Sequence, residues 1–439
     1  MTVLEGAAGP GSAGFHGPAV PVATAGPPPL PPVRVNRFVG NEGAYWRLMV
    51  RGALLLLVTL GIYRFWLATD QRRFLWANTE IAGDALEYTG TARELLVGFL
   101  MAIAVMVPIY GILALAALEM IGHASTVIAF LVLAVFGQFA IFRARRYRLT
   151  RTVFRGVRLH QSGSAWLYAF YSMLWWTLVL ATLGLAYPWA QAALERYKMR
   201  HTFYGTARGR FAGSGTSLFA KGIAMWLVVV GPLVAGLLYA VVSVNWSALA
   251  EALAQGGDNV IGRIESSSPD FGSAMVFLVS AAVWSFIVAG VLYPAFQAMM
   301  LRWWTSGLRF DAMTATSLLR TRQMYGLYLR FMGYSLLFGI ILSIGAGFLI
   351  GIFHALLQPM GEGTLTEAAG VVAAVVGYVA MMLGYSTIYQ VVVKLRLWKL
   401  SFETVELSGL AALDDIKAAG VASSAFGEGL ADALDVGGL

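Results

Sequence analysis

Long apolar runs separated by short charged stretches set the rhythm of this chain. Eight segments can be drawn: about Tyr45 to Trp66, Leu95 to Met120, Ser125 to Phe142, Ala165 to Trp189, Ile223 to Val244, Gly272 to Met300, Tyr328 to Leu357 and Ala368 to Val393. Several exceed about 18 nearly uncharged residues, the length at which a run is read as a membrane-crossing helix. The links alternate in charge. Those after segments two, five and seven are acidic or neutral (Glu119 and His123; Glu251, Asp258 and Asp270; Glu362 and Glu367), and those after three, six and eight are basic. Cytoplasmic loops carry the excess of Lys and Arg, which puts the basic set inside.

Segments one and four break this alternation, because both of their flanks are basic. In segment one, Arg47, Arg51 and Arg64 leave only Gly52 to Tyr63 free of charge. A helix of that length rises about 18 Å against a hydrocarbon core of about 30 Å. Three helix hairpins (two-three, five-six, seven-eight) are therefore expected to cross, with segments one and four re-entrant or along the inner interface. Eight crossings with some basic loops outside is the alternative.

The polar stretches repeat. Tyr187 opens YPWAQAALERY and Tyr293 opens YPAFQAMMLRWW, both fitting Y-P-x-x-Q-A-x-x-x-R-aromatic without a gap, and Tyr63 opens the related YRFWLATDQRRF. Three Arg-aromatic pairs are followed by a threonine six residues after the arginine: Arg73/Phe74/Thr79, Arg146/Tyr147/Thr152 and Arg196/Tyr197/Thr202. A bulky residue and then a glycine come next (Gly83, Gly156, Gly205), the pattern of a two-stranded hairpin. VRVNRFV (Val33 to Val39) alternates as a strand does, and LSFETVEL near Lys394 to Leu410 is a looser copy. The expected fold is mainly α: a polytopic helical bundle of six to eight membrane segments, with short β-hairpins forming a small sheet on the cytoplasmic side. Arg73, Arg146, Arg196, Arg302, Trp66, Trp189 and Trp303 are read as headgroup anchors, since Arg and aromatic side chains favour the interface.

Composition sharpens the class. Of 439 residues 58% are hydrophobic and only 12% charged, where a soluble domain carries about 25%. The net charge of +8 sits beside apolar runs and points to anionic lipid headgroups of the inner leaflet, not to nucleic acid. The lack of cysteine removes disulfides and thiol chemistry. Residues 1–32 read as a disordered Gly/Ala/Pro arm without the features of a secretory signal. Residues 33–410 read as the transmembrane domain, and 411–439 as an Ala/Gly/Asp-rich tail. Both termini are expected in the cytoplasm.

TLGIYRFW (Thr59 to Trp66), continuing RRFLWANTEIAGDALEYTG (Arg72 to Gly90), resembles the YjgN-like family of bacterial inner-membrane proteins, a domain of unknown function. A second version stands at Thr182 to Ala190, TLGLAYPWA, with ERYKMRHTFYG behind it. Phe65 replaces the usual proline, and Phe74 the usual tyrosine. The resemblance covers about residues 35 to 410. It implies a bacterial inner-membrane location and brings no substrate, reaction or catalytic residue.

Candidate chemistry is sparse. Glu119 and His123 sit four apart, a metal-compatible spacing, but with no third ligand nearby they read as a loop-capping pair, as do His354 and Glu362. Gln138, Gln191, Gln297 and Gln390 all lie near inner ends of apolar segments, either as interhelical hydrogen bonders or as a polar path. No carboxylate lies well inside an apolar run, which argues against a proton-coupled pump. No nucleotide, protease or hydrolase motif occurs, so no enzyme and no cofactor are expected. Two functions remain: a transporter or channel-like protein for a small molecule or lipid, favoured by Pro108 and Pro232 within apolar runs, or a scaffold that recruits a cytoplasmic protein through its sheet and acidic tail (Asp414, Asp415, Glu428, Asp432, Asp435). The oligomeric state is left open.

Overall fold

Among the described residues six helices are long and apolar enough to cross a membrane, and they fall into three consecutive pairs. The computed structural model describes residues 36–119, 122–255, 262, 266–268, 270–357, 364–413, 416–419 and 426–434, all within one unit, Val33–Leu439. The arm expected over residues 1–32 lies outside them, as do Glu362, Asp414, Asp415 and Asp435. The first pair is α3 (Ala92–Glu119) with α4 (Gly122–Thr150). The second is α7 (Gly215–Ser243) with α9 (Phe271–Gly307). A short helix absent from the sequence expectation, α8 (Trp246–Gln255), lies in the link between them. The third is α10 (Thr321–Leu357) with α11 (Thr364–Ile388), which runs through a π-helical stretch, Tyr389–Leu395, into α12 (Arg396–Glu403).

Pro232 shows how the second pair is held. A proline in a helix frees the carbonyl four residues before it, and the indole of Trp284 donates to that Val228 oxygen at 3.1 Å. Ser285 adds a bond to the Val229 oxygen at 2.6 Å. Neighbouring side chains thus satisfy the backbone polar group that lipid could not.

Segments one and four each form two shorter helices instead of one span. They are α1 (Glu42–Val58) with α2 (Arg64–Ala77), and α5 (Ala165–Ala181) with α6 (Tyr187–Arg200). None of the four is among the six long apolar helices. Both breaks are made by Thr-Leu-Gly. Leu60 and Leu183 each take φ of 49°, and Gly61 and Gly184 take 90° and 91°. The left-handed leucines cost about 1–2 kcal/mol each, and glycine supplies the second left-handed step.

The turns leave no amide open. Gly61 N donates to Leu56 O at 2.8 Å, Ile62 N to Thr59 O at 3.1 Å and Arg64 N to Gly61 O at 3.2 Å. The Thr59 hydroxyl takes the Tyr63 amide at 3.0 Å. Thr182 does the same for Ala186 at 3.0 Å, and Gly184 N reaches Val179 O at 2.7 Å. Leu60 at the first tip is 93% exposed. An exposed leucine beside a self-satisfied backbone suits a turn buried in hydrocarbon.

Ten short strands form one antiparallel sheet in strict chain order. They are β1 (Asn36–Phe38), β2 (Thr79–Ile81), β3 (Asp84–Tyr88), β4 (Thr152–Phe154), β5 (Val157–Gln161), β6 (Thr202–Tyr204), β7 (Ala207–Phe211), β8 (Leu308–Phe310), β9 (Met313–Ser317) and β10 (Val405–Ser408). Ala82–Gly83 and Arg155–Gly156 turn with both residues at positive φ, the primed geometry that matches strand twist. The third hairpin turns at Gly205. The fourth turns at Asp311–Ala312, without a glycine, with Asp311 at φ 50°.

The edges of the sheet come together. The Asn36 side chain donates to the Val405 carbonyl at 3.3 Å, joining β1 to β10. One apolar core includes Phe38, Leu86, Tyr88, Phe154, Tyr204 and Trp76, with Phe310, Met313 and Trp398 packed on it. The ten strands therefore curl into a filled ring at the end of the bundle where every helix pair begins and ends. After β10, Ile416 joins this core, and Lys417 lies against Gly205. A last helix, α13 (Phe426–Ala433), seats Leu430, fully buried, among Ala102, Met106, Ala140 and Ala144 of α3 and α4.

Candidate functional site at the helix–strand junctions

At four junctions a helix ends, a hairpin follows and a new helix begins. The collar arginine of each donates to a carbonyl 17 residues further on, at the exit of its own hairpin. Arg73 reaches Gly90 O at 3.1 Å, and Arg146 reaches Gly163 O. Arg196 reaches Gly213 O at 3.1 Å, and Arg302 reaches Leu319 O at 3.2 Å. The arginines expected at headgroups thus each hold a hairpin exit. At the first three the next residue, Thr91, Ser164 or Ser214, caps the new helix, accepting an amide at 3.3, 3.3 and 3.4 Å. The hydroxyl satisfies a helix-end amide that would otherwise be open. The clamp and the cap together fix where each new helix starts.

The threonines that follow the collar link one junction to the next. Thr79, Thr152 and Thr202 each donate back to the carbonyl four residues earlier, at 2.7, 2.9 and 2.8 Å. Each also accepts from a neighbouring junction. Trp76 donates to Thr152 at 2.9 Å, and Arg145 to Thr202 at 2.8 Å. Trp398 of the last junction reaches back to Thr79 of the first at 2.9 Å, with its ring centroid 4.8 Å from that of Trp76. The first and last junctions therefore meet in the ring.

The tryptophans divide. Trp66 and Trp189 follow the two Thr-Leu-Gly turns and stay 36% and 38% exposed, whereas Trp303, expected at the headgroups, is buried at 6%. Its indole donates to Ser214 O at 3.0 Å, and its ring meets Phe211 of β7 with centroids 5.0 Å apart. The four glutamines are not brought together. Gln138 accepts from Ser172 at 2.8 Å, and Gln297 donates to Tyr293. The Gln390 oxygen is buried without a partner, and Gln191 lies on α6. A cavity of about 300 Å³ between α6, α7 and α9 is walled by Leu185, Ile223, Trp226 and Phe296, and includes neither Gln191 nor Gln297.

A buried charge cluster joins α4, α6 and α9, and sequence reasoning missed it. Glu195 is 8% exposed. It pairs with Lys198 and accepts from the Trp304 indole at 3.1 Å. Burial pushes its carboxyl up, but Lys198, Arg145 and Trp304 more than offset this and hold it below the usual carboxylate range. Burial lowers the His160 imidazole, which stacks on Phe203 at 5.0 Å. Among the described residues no group of three or more His, Asp or Glu is placed to hold a metal ion. The signal for the cluster was the acidic residue just before Arg196 in a basic stretch.

A family model described as a bacterial protein of unknown function, DUF898, matches residues 34–433. The chain belongs to the DUF898 family. YjgN-like proteins fall in this family, so the resemblance carried by TLGIYRFW and TLGLAYPWA holds. The DUF898 match runs past the last strand to the last residue of α13. No curated protein matches, and no solved structure does.

Proposed function

We propose that this DUF898 protein is a non-enzymatic scaffold of the bacterial inner membrane. In this reading the strand ring lies under the cytoplasmic leaflet, where the basic junctions meet anionic headgroups, and both chain ends lie on that side. The junctions are repeats of one internal unit, four complete and a fifth shared between the two chain ends. The helix pairs and re-entrant hairpins hold the ring to the bilayer, and the polar outer edges of its hairpins, such as Glu87 and Arg210, offer a surface to a cytoplasmic protein.

The observation that carries this reading is the filled ring. Its axis is occupied by Tyr88, Phe154, Tyr204, Trp76 and Trp398 packed as one core, so it supports a solid platform more than a conduit. A second reading, passage of a lipid or small apolar molecule, is favoured by the apolar cavity between α6, α7 and α9. Protein reconstituted in liposomes tests both, with release of an entrapped anionic dye and flipping of a labelled lipid as readouts. The scaffold reading predicts rates equal to protein-free vesicles. Protein-dependent dye release or lipid flipping would replace it with the second reading.

A further inference from the structure

The junction between α10, α11 and α12 differs from the other four. There the hairpin is divided between β10 and β1, at opposite ends of the chain. By position before its strand, Lys399 is the collar cation, six residues before Val405 as Arg73 is before Thr79. Among the described residues Lys399 holds no hairpin-exit carbonyl and instead stands 3.9 Å from Glu403. It faces a cavity of about 410 Å³, whose charged walls are Arg322, Arg330, Arg396, Lys399, Glu42 and Glu403. Four cations thus face two carboxylates.

The pairing inside the cavity is uneven. Arg396 holds Glu42 at 3.0 Å, and Glu403 is left to Lys399. Arg322 and Arg330 are exposed and have no partner among the described residues. They lie eight apart on α10, on one face and about 12 Å apart along its axis. Gly326 lies midway on that face, and a side chain built on it would meet nothing within 4 Å. The glycine leaves a trough between the two guanidinium groups, floored by the buried Leu327 (3% exposed). Arg330 also stands inside the apolar run that begins near Tyr328. That is the end of the run, where an exposed cation can reach the phosphate level of the headgroups.

We propose that this trough is a binding site for a phosphate-bearing anion, held by Arg322 and Arg330 with Lys399 and Arg396 behind it. Guanidinium groups pair with phosphate oxygens through two parallel hydrogen bonds, which suits two arginines flanking a groove. The phosphate can come from a phospholipid headgroup, with its chains along the apolar face of α10, or from a free anion in solution. The lipid source rests on the inner-leaflet placement proposed above; the site itself does not.

The test uses the full chain purified in detergent. Native mass spectrometry with phosphatidylglycerol and with phosphatidylcholine reads the lipid arm, and thermal shift with inorganic phosphate reads the free-anion arm. The wild type should retain phosphatidylglycerol about tenfold better than phosphatidylcholine, or be stabilised by phosphate, and the double variant R322Q/R330Q should lose that preference. Gly326→Trp, which fills the trough and keeps every charge, should lose it as well. Retention of phosphatidylglycerol without a phosphate response identifies a lipid site; a phosphate response alone identifies a soluble anion. Since Arg322 and Arg330 hold nothing else, R322Q/R330Q should melt at the wild-type temperature without ligand. Undiminished binding in both variants would overturn the proposal, as would an equal loss in the distant control R200Q/R208Q.

Discussion

If the collar arginines are clamps on the hairpin exits, removing them should destabilise the protein according to what each carbonyl loses. Arg196→Met keeps most of the aliphatic stem and deletes the bond to Gly213 O, which spans 3.1 Å in a partly buried setting. A hydrogen bond from a charged donor contributes about 1.5–3 kcal/mol net, and a buried acceptor left open adds to the loss. Gly213 is buried, so water does not replace the guanidinium freely, and about 2–3 kcal/mol is expected. Arg302→Met should behave alike, because Leu319 is 2% exposed. Arg146→Met should cost under about 1 kcal/mol, since its acceptors at Ser162 and Gly163 are exposed and water takes over. Thermal unfolding followed by tryptophan fluorescence should rank R196M and R302M well below R146M. The ranking should hold in neutral detergent and in nanodiscs with anionic lipid. Equal losses at all three would refute the clamp, and losses that appear only with anionic lipid would refute it in favour of the headgroup-anchor reading.

Further outcomes follow from other sites. Thr59→Val and Thr182→Val should each destabilise by about 1–3 kcal/mol, because the partly buried amides of Tyr63 and Ala186 lose their hydroxyl partner; thermal unfolding of each single variant measures this. Leu60→Gly should instead stabilise the first turn by about 1 kcal/mol, since it removes the left-handed leucine; a lower melting temperature would count against the strained turn. The depressed carboxyl of Glu195 contributes stability above the ordinary carboxylate value, about 4.3, and that contribution fades as pH falls through the folded value. The melting temperature should therefore fall below about pH 4 more steeply in the wild type than in Glu195→Gln, and parallel pH curves would contradict it.

The helix pairs were legible because hydrophobicity and link charge are one-dimensional signals. The short charge-free stretch Gly52 to Tyr63 pointed to a segment short of a simple crossing, and the structure breaks it into two helices at Thr-Leu-Gly. The first three hairpins were legible from Thr-x-bulky with a glycine one or two residues on, since a tight turn demands particular residues. The fourth escaped because Asp311 makes its turn without glycine. The closing of the ring was not legible. It depends on Asn36, Trp76, Trp398 and Thr79, whose partners lie as far as 369 residues away in sequence, and no local pattern carries such contacts. The clamp had left a trace that went unread: Arg73 and Gly90-Thr91, Arg146 and Gly163-Ser164, Arg196 and Gly213-Ser214 share one spacing. The tail looked like a free acidic end because its few apolar residues are scattered; Leu430 finds its place only once α3 and α4 exist.

The central claim is that every hairpin shares one side of the membrane, the cytoplasmic side. The chain is free of cysteine, so single cysteines report without background. Ala85, Thr206 and Ala312 are exposed at three different hairpins, and His123 lies in the first turn of α4, at the far end of the first helix pair. In intact cells a membrane-impermeant maleimide should label His123→Cys and spare A85C, T206C and A312C until the cells are opened. Labelling of any of the three hairpins in intact cells would contradict the account.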